Sequence, residues 1–153
     1  MKEKERRRLA EQRATNAQTV TFVANQAADI VTAAEERADA DPAWSDIAAA
    51  ERERRDTLME VAHEEQRLAT AMLLETEWDG AVAAEERDVR HELLEIAQAE
   101  ERVADELKAL QTNDDYGPAL LAEQAEWNGD LLRHVAETAT DAERTLRQDE
   151  SIR

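Results

Sequence analysis

The scarcity of helix breakers is the strongest constraint on how this chain folds. Three Gly and two Pro are spread over 153 residues, and most stand beside Asp or Asn in short clusters that divide the chain almost unaided. Asp39-Ala40-Asp41-Pro42 marks a first break, with Asp41 suited to an N-cap and Pro42 to the first helical position. Asp79-Gly80 marks a second, and Thr112 to Pro118 gives the clearest loop signal. The segments between them run roughly over 5–38, 42–78, 81–111 and 118–148. Each is about 45–55 Å long as a helix rising 1.5 Å per residue. Near-equal segments joined by short turns predict an all-α antiparallel bundle of about four long helices, one domain over 1–153.

Composition agrees with helices and predicts a thin core. There are 30 Ala, whereas Val, Ile, Leu and Phe together number 27 and aromatics make up 3% of the chain. So little large apolar surface would suggest disorder, but Ala, Glu, Arg and Leu dominate, which is the composition of long helices. Alanine seams let helices approach closely while burying little area each. A thin core in such a chain predicts stabilisation through self-association or a larger assembly.

Heptad periodicity is cleanest in the third segment, where Val82, Val89, Ile96, Val103 and Leu110 form one coiled-coil-like seam position. Glu86, Leu93, Glu100 and Leu107 form the other. The second segment repeats the layout, with Glu51, Leu58, Glu65 and Met72 in the second position. Aligning Arg55–Ala69 with Arg90–Ala104 gives seven identities, which suggests a duplicated helix. Glutamates inside the seam are its oddest feature. If the two segments fold about Asp79-Gly80, Glu65 lies level with Leu93-Leu94 and Glu100 with Leu58-Met59, so the carboxylates face leucine layers and do not cluster.

Charge excludes several partner classes. Nineteen Lys plus Arg stand against 37 Asp plus Glu, a formal net charge of −18. DNA, RNA and anionic membranes are bound by cations that neutralise phosphates, so nucleic acid is an unlikely partner and a membrane is not expected. Lys occurs only at 2, 4 and 108, the other cations being Arg. A crowded acidic surface repels itself until salt screens it, and at about 1 M the Debye length falls to about 3 Å. The pattern therefore predicts a protein adapted to high salt. No signal-like or membrane-spanning apolar run is present, which places the chain in the cytoplasm or inside a virus particle. With no Cys, disulfides and thiolate sites are excluded.

Candidate sites are few. Glu60-x-x-His63 and Asp88-x-x-His91 have the helical carboxylate and histidine spacing of ferritin-like di-iron bundles. They define one alternative, a metal-binding protein using Glu60, His63, Asp88 and His91, although Val61 and Val89 in the seam would turn all four towards solvent. His91-Glu92-Leu93-Leu94-Glu95 differs by one residue from a zinc-protease helix but lacks a third ligand. Residues 1–13 carry six cations and three carboxylates. They read as a basic N-terminal extension whose Arg6, Arg7 and Arg8 could dock on an acidic partner. Trp44 and Trp78 read as plugs at bundle ends, and Trp127 equally as plug or partner anchor.

No phosphate loop or nucleophile with an adjacent base is present. The favoured expectation is a non-enzymatic structural protein, without cofactor, packing against itself or other subunits as a virion or scaffold component. A regulatory adaptor docking through its basic N-terminal helix is the second alternative.

Overall fold

The computed structural model describes residues 1–152, with side chains over 1–149. Four helices follow one another: α1 (Glu3–Glu36), α2 (Pro42–Leu74), α3 (Asp79–Ala109) and α4 (Gly117–Ile152). Among the described residues there is no strand. α1 lies closely along α2 and α3 along α4, while α1 with α4 and α2 with α3 complete the square. The result is an up-down-up-down four-helix bundle, as the spacing of breakers predicts.

Local chemistry sets the turns. Asp41 caps α2 by accepting the Ala43 amide at 2.9 Å, with Pro42 in the first turn where its missing N–H costs nothing. The α3–α4 loop closes on Asp115, whose Oδ1 accepts the Gly117 amide at 2.9 Å. Arg37 donates to the same carboxylate through Nε at 2.9 Å and Nη2 at 3.3 Å, and its guanidinium covers the Trp44 ring. This latch ties both loops at one end of the bundle, hereafter the upper end. A Cβ at Gly117 would meet the Arg37 guanidinium and the Asp115 carboxylate, so a larger residue there would have to displace the side chains of the latch.

The second turn departs from expectation. α2 stops at Leu74, and Glu75 takes a left-handed conformation (φ 52°) with its N–H bonded to Ala71 O. The turn is therefore residues 75–78, and Asp79-Gly80 opens α3 without breaking anything. Trp78 precedes α3 with its side chain 60% exposed, so it does not plug the core, whereas Trp44 is buried.

The N-terminus also differs. α1 begins at Glu3, so the basic residues expected to form an extension are instead largely the first turns of this helix. Arg6, Leu9, Ala10 and Arg13 are buried there because they continue the inward stripe of Ala17, Val20 and Val23.

Three apolar clusters fill the bundle. The upper one joins Ile30, Trp44, Ile47, Val103, Leu107 and Ala122. The middle one joins Val20, Val23, Leu58, Leu93, Leu132 and Val135, and the lower one Leu9, Leu68, Met72, Val82 and Leu146. Alanines bring α1 close to α2 and α3 close to α4, but the α2 and α3 backbones approach each other little. Longer side chains reach across that gap, and they are glutamates.

Candidate functional site

Two buried polar layers separate the three clusters. The lower layer, between the lower and middle clusters, holds Glu65 from α2, Glu86 from α3, and Arg13 and Asn16 from α1. Arg13 is fully buried, its Nε 3.2 Å from Glu65 Oε2 and 3.4 Å from Glu86 Oε1. Asn16 Nδ2 donates to Thr138 Oγ1 at 2.7 Å and reaches Glu65 Oε2 at 3.5 Å. Below this layer a second buried cation, Arg6, donates to Asp79 at 3.2 Å and stands 3.5 Å from Glu75.

The upper layer, between the middle and upper clusters, holds Glu51 from α2, Glu100 from α3 and Asn128 from α4, all fully buried. Arg54 enters from the edge, and its Nη1 donates to Glu51 Oε1 at 2.6 Å. Neither polar atom of Asn128 meets a protein partner.

Within each layer the buried carboxyls of α2 and α3 are near enough to shift each other's protonation, Glu65 with Glu86 and Glu51 with Glu100. Two carboxyls in contact in a dry layer bond only if a proton stays between them, since like charges so close do not both ionise. Burial raises all four. Glu86 is pushed well above the usual carboxyl range by burial and by the charge of Glu65. Glu100 is pushed up to about 9 by burial and by Glu51. Burial also lifts Glu51 and Glu65, with Arg54 and Arg13 opposing it. Holding one proton per pair would leave one carboxylate against one arginine in each layer, with no large uncompensated charge.

This pairing corrects the expectation that the seam glutamates face leucines. Folding at residues 75–78 and not at Asp79-Gly80 moves the level of Glu65 from Leu94 to Glu86, a shift of α3 against α2 of about two helical turns. That shift converts each Glu–Leu level into a Glu–Glu level.

The layers are related by an internal two-fold pattern. The alignment that pairs Glu51 with Glu86 and Glu65 with Glu100 also carries Leu68 onto Val103, Met72 onto Leu107 and Ile47 onto Val82, exchanging lower and upper clusters. On the outer pair of helices, one constant offset matches Ala10 with Ala122, Asn16 with Asn128, Val20 with Leu132, Val23 with Val135 and Ala27 with Ala139. The match fails where charge enters. Arg13 corresponds to Ala125, Arg6 to Pro118, and Asp79 to Trp44. Cations from the first turns of α1 thus serve only the lower half.

The residues singled out from sequence are distributed differently. Glu60, His63, Asp88 and His91 are all exposed. His63 opens onto a groove with Gln18 and Thr21 of α1, while Glu60 lies near Glu92 of α3, so the four are not brought together. Among the described residues, no three His, Asp or Glu side chains are grouped so as to hold a metal ion. Arg6 is spent on Asp79, whereas Arg7, Arg8 and Trp127 are exposed. Sequence reasoning missed Arg13 and Asn128. The signal for both was their place on apolar stripes, Arg13 between Leu9 and Val20, Asn128 between Ala125 and Leu132.

Comparisons with protein-family models, curated proteins and solved structures find no match for this chain. Among the described residues, no helix is long and apolar enough to cross a membrane.

Proposed function

We propose that this chain is a non-enzymatic assembly protein, adapted to high salt, that packs through its α1–α4 face against further copies of itself in a scaffold or virion. The supporting observation is a set of apolar side chains on that face. Phe22 is 50% exposed, Trp127 57% and Leu120 66%. Gln124 Nε2 donates to the Gln26 carbonyl across the two helices at 3.5 Å, which sets Phe22 and Trp127 at one level. Leu120 stands two turns along the same stripe of α4 as Trp127. Large apolar groups adjacent on an otherwise highly charged surface are the composition of an interface centre, and Trp is the residue most enriched in hot spots. High salt favours such association by screening the net charge of −18.

Light scattering in about 1 M KCl tests this reading. The wild type should run as a particle heavier than the 17.3 kDa chain, and Phe22→Glu with Trp127→Glu should reduce it to monomer with helicity unchanged. A wild-type monomer at every concentration up to millimolar would refute it.

The adaptor reading draws on a different observation: Lys2, Lys4, Arg7 and Arg8 share one shallow exposed hollow at the start of α1 with Glu5 and Glu11, cations outnumbering carboxylates. Deleting residues 1–13 does not test it, because Leu9, Ala10 and Arg13 are core. Arg7→Glu with Arg8→Glu does, by loss of binding to an acidic peptide without loss of fold.

A further inference from the structure

The two layers share a plan but differ in how their carboxylates are neutralised. In the lower layer a guanidinium lies between both carboxylates, delivered from α1 by Arg13. At the corresponding position the upper layer has Ala125, which has no charge and no length. Asn16 finds Thr138 and Glu65, whereas its counterpart Asn128 is fully buried with both its amide oxygen and nitrogen unpartnered. Asn128 projects into the layer, since its neighbours on the inward stripe of α4 are Ala125 in the upper cluster and Leu132 in the middle one. Leaving a buried amide unpaired is costly, and so is leaving a buried carboxyl pair with a cation at only one edge.

We propose that the upper layer binds an alkali-metal cation between the carboxylates of Glu51 and Glu100 and the side-chain carbonyl of Asn128. The donor set is oxygen from three helices, which suits a hard cation. The charged groups around it are Arg54 on α2, which keeps its bond to Glu51, and Glu106, whose charge also reaches Glu51. One turn from Asn128, α4 and α1 meet through uncharged groups, Gln124 Nε2 donating to the Gln26 carbonyl at 3.5 Å. A divalent ion beside Arg54 would leave the layer with a net positive charge. An alkali cation replaces a proton held by the pair one for one, so the buried charge does not change as that proton leaves for solvent. Binding should therefore strengthen as pH rises and the proton is lost more easily.

Thermal unfolding at pH 9 tests this at equal ionic strength in KCl, in NaCl and in tetramethylammonium chloride, whose cation is too large for the layer. All three salts screen the acidic surface alike, so any common response cancels. The wild type should melt higher in K⁺ or Na⁺ than in tetramethylammonium by about 4 °C, the shift given by a ligand at roughly ten times its dissociation constant. Glu100→Gln, which keeps shape while removing the charge, and Asn128→Leu, which removes the carbonyl, should each abolish most of that difference. The same difference in wild type and both variants would overturn the proposal. Should a variant fail to fold, wild-type crystals grown with thallous acetate decide the matter by themselves. An anomalous peak between α2, α3 and α4 at Asn128 supports the site, and its absence overturns it.

Discussion

Replacing Arg13 by Leu removes the one cation that lies between Glu65 and Glu86. Both carboxyls are fully buried, and their nearest remaining polar neighbours are Asn16 and each other. Breaking a buried ion pair from one side costs about 3–5 kcal/mol, because the charge left behind has neither water nor partner. In a domain of this size 1 kcal/mol moves the melting temperature by about 2–4 °C, so the loss should be about 6–20 °C. The loss should also depend on pH. Arg13 holds both carboxyls down against burial, so without it both rise further. An acid raised in the folded state leaves stability untouched below its unfolded pKa and erodes it as pH climbs towards the folded value. The deficit is therefore smaller at pH 5 than at pH 8. Urea unfolding followed by circular dichroism at both pH values, in constant high salt, measures it. Arg7→Leu, at an exposed site, serves as control and should change stability by less than about 0.5 kcal/mol. Replacing Arg13, Glu65 and Glu86 together by Leu should recover the loss, since a buried ion network exchanged for apolar groups is often neutral or stabilising. Wild-type stability in Arg13→Leu at both pH values would refute the neutralising role assigned to Arg13.

Three further outcomes follow from the same geometry. Glu75→Gly should stabilise the bundle by about 0.5–1 kcal/mol, measured by chemical unfolding, because Glu75 alone among the described non-glycine residues has a positive φ and its own side chain is largely exposed where it approaches Arg6. Helicity and melting temperature should rise from dilute buffer to about 1 M KCl as the net charge of −18 is screened, and a flat response would contradict the salt adaptation. Wild-type stability should fall relative to that of Glu100→Gln as pH rises from about 5 towards 9, since Glu100 keeps its proton in the fold up to about 9 and loses it earlier when unfolded. Parallel pH profiles of the two proteins would show that Glu100 is not held protonated.

Much of the bundle was legible because its signals are local. Asp41-Pro42 carries a cap and a first-turn proline together, and the loop before Pro118 concentrates turn formers. Heptads named the inward faces of α2 and α3, including their glutamates. The turn at 75–78 left no such mark, because Glu75 takes the left-handed conformation without glycine and Gly80 drew attention a turn too late. A fold point misplaced by about one turn shifts the register by about two, and that decides whether a seam glutamate meets leucine or another glutamate, so the polar layers could not be read from spacing alone. Arg13 was read with the basic N-terminal residues, although its interval from Leu9 and Asn16 put it on the buried stripe. Net charge counted it as surface, while packing made it the centre of the lower layer.

Carbon-13 detected titration of the glutamate carboxyls in the folded protein tests the buried pairing most directly. Glu100 should titrate near 9, with Glu86 well above the ordinary carboxyl value and Glu51 and Glu65 raised from it. If every glutamate instead titrated between about pH 3.5 and 5, as exposed carboxyls do, the carboxylate layers would not exist as described.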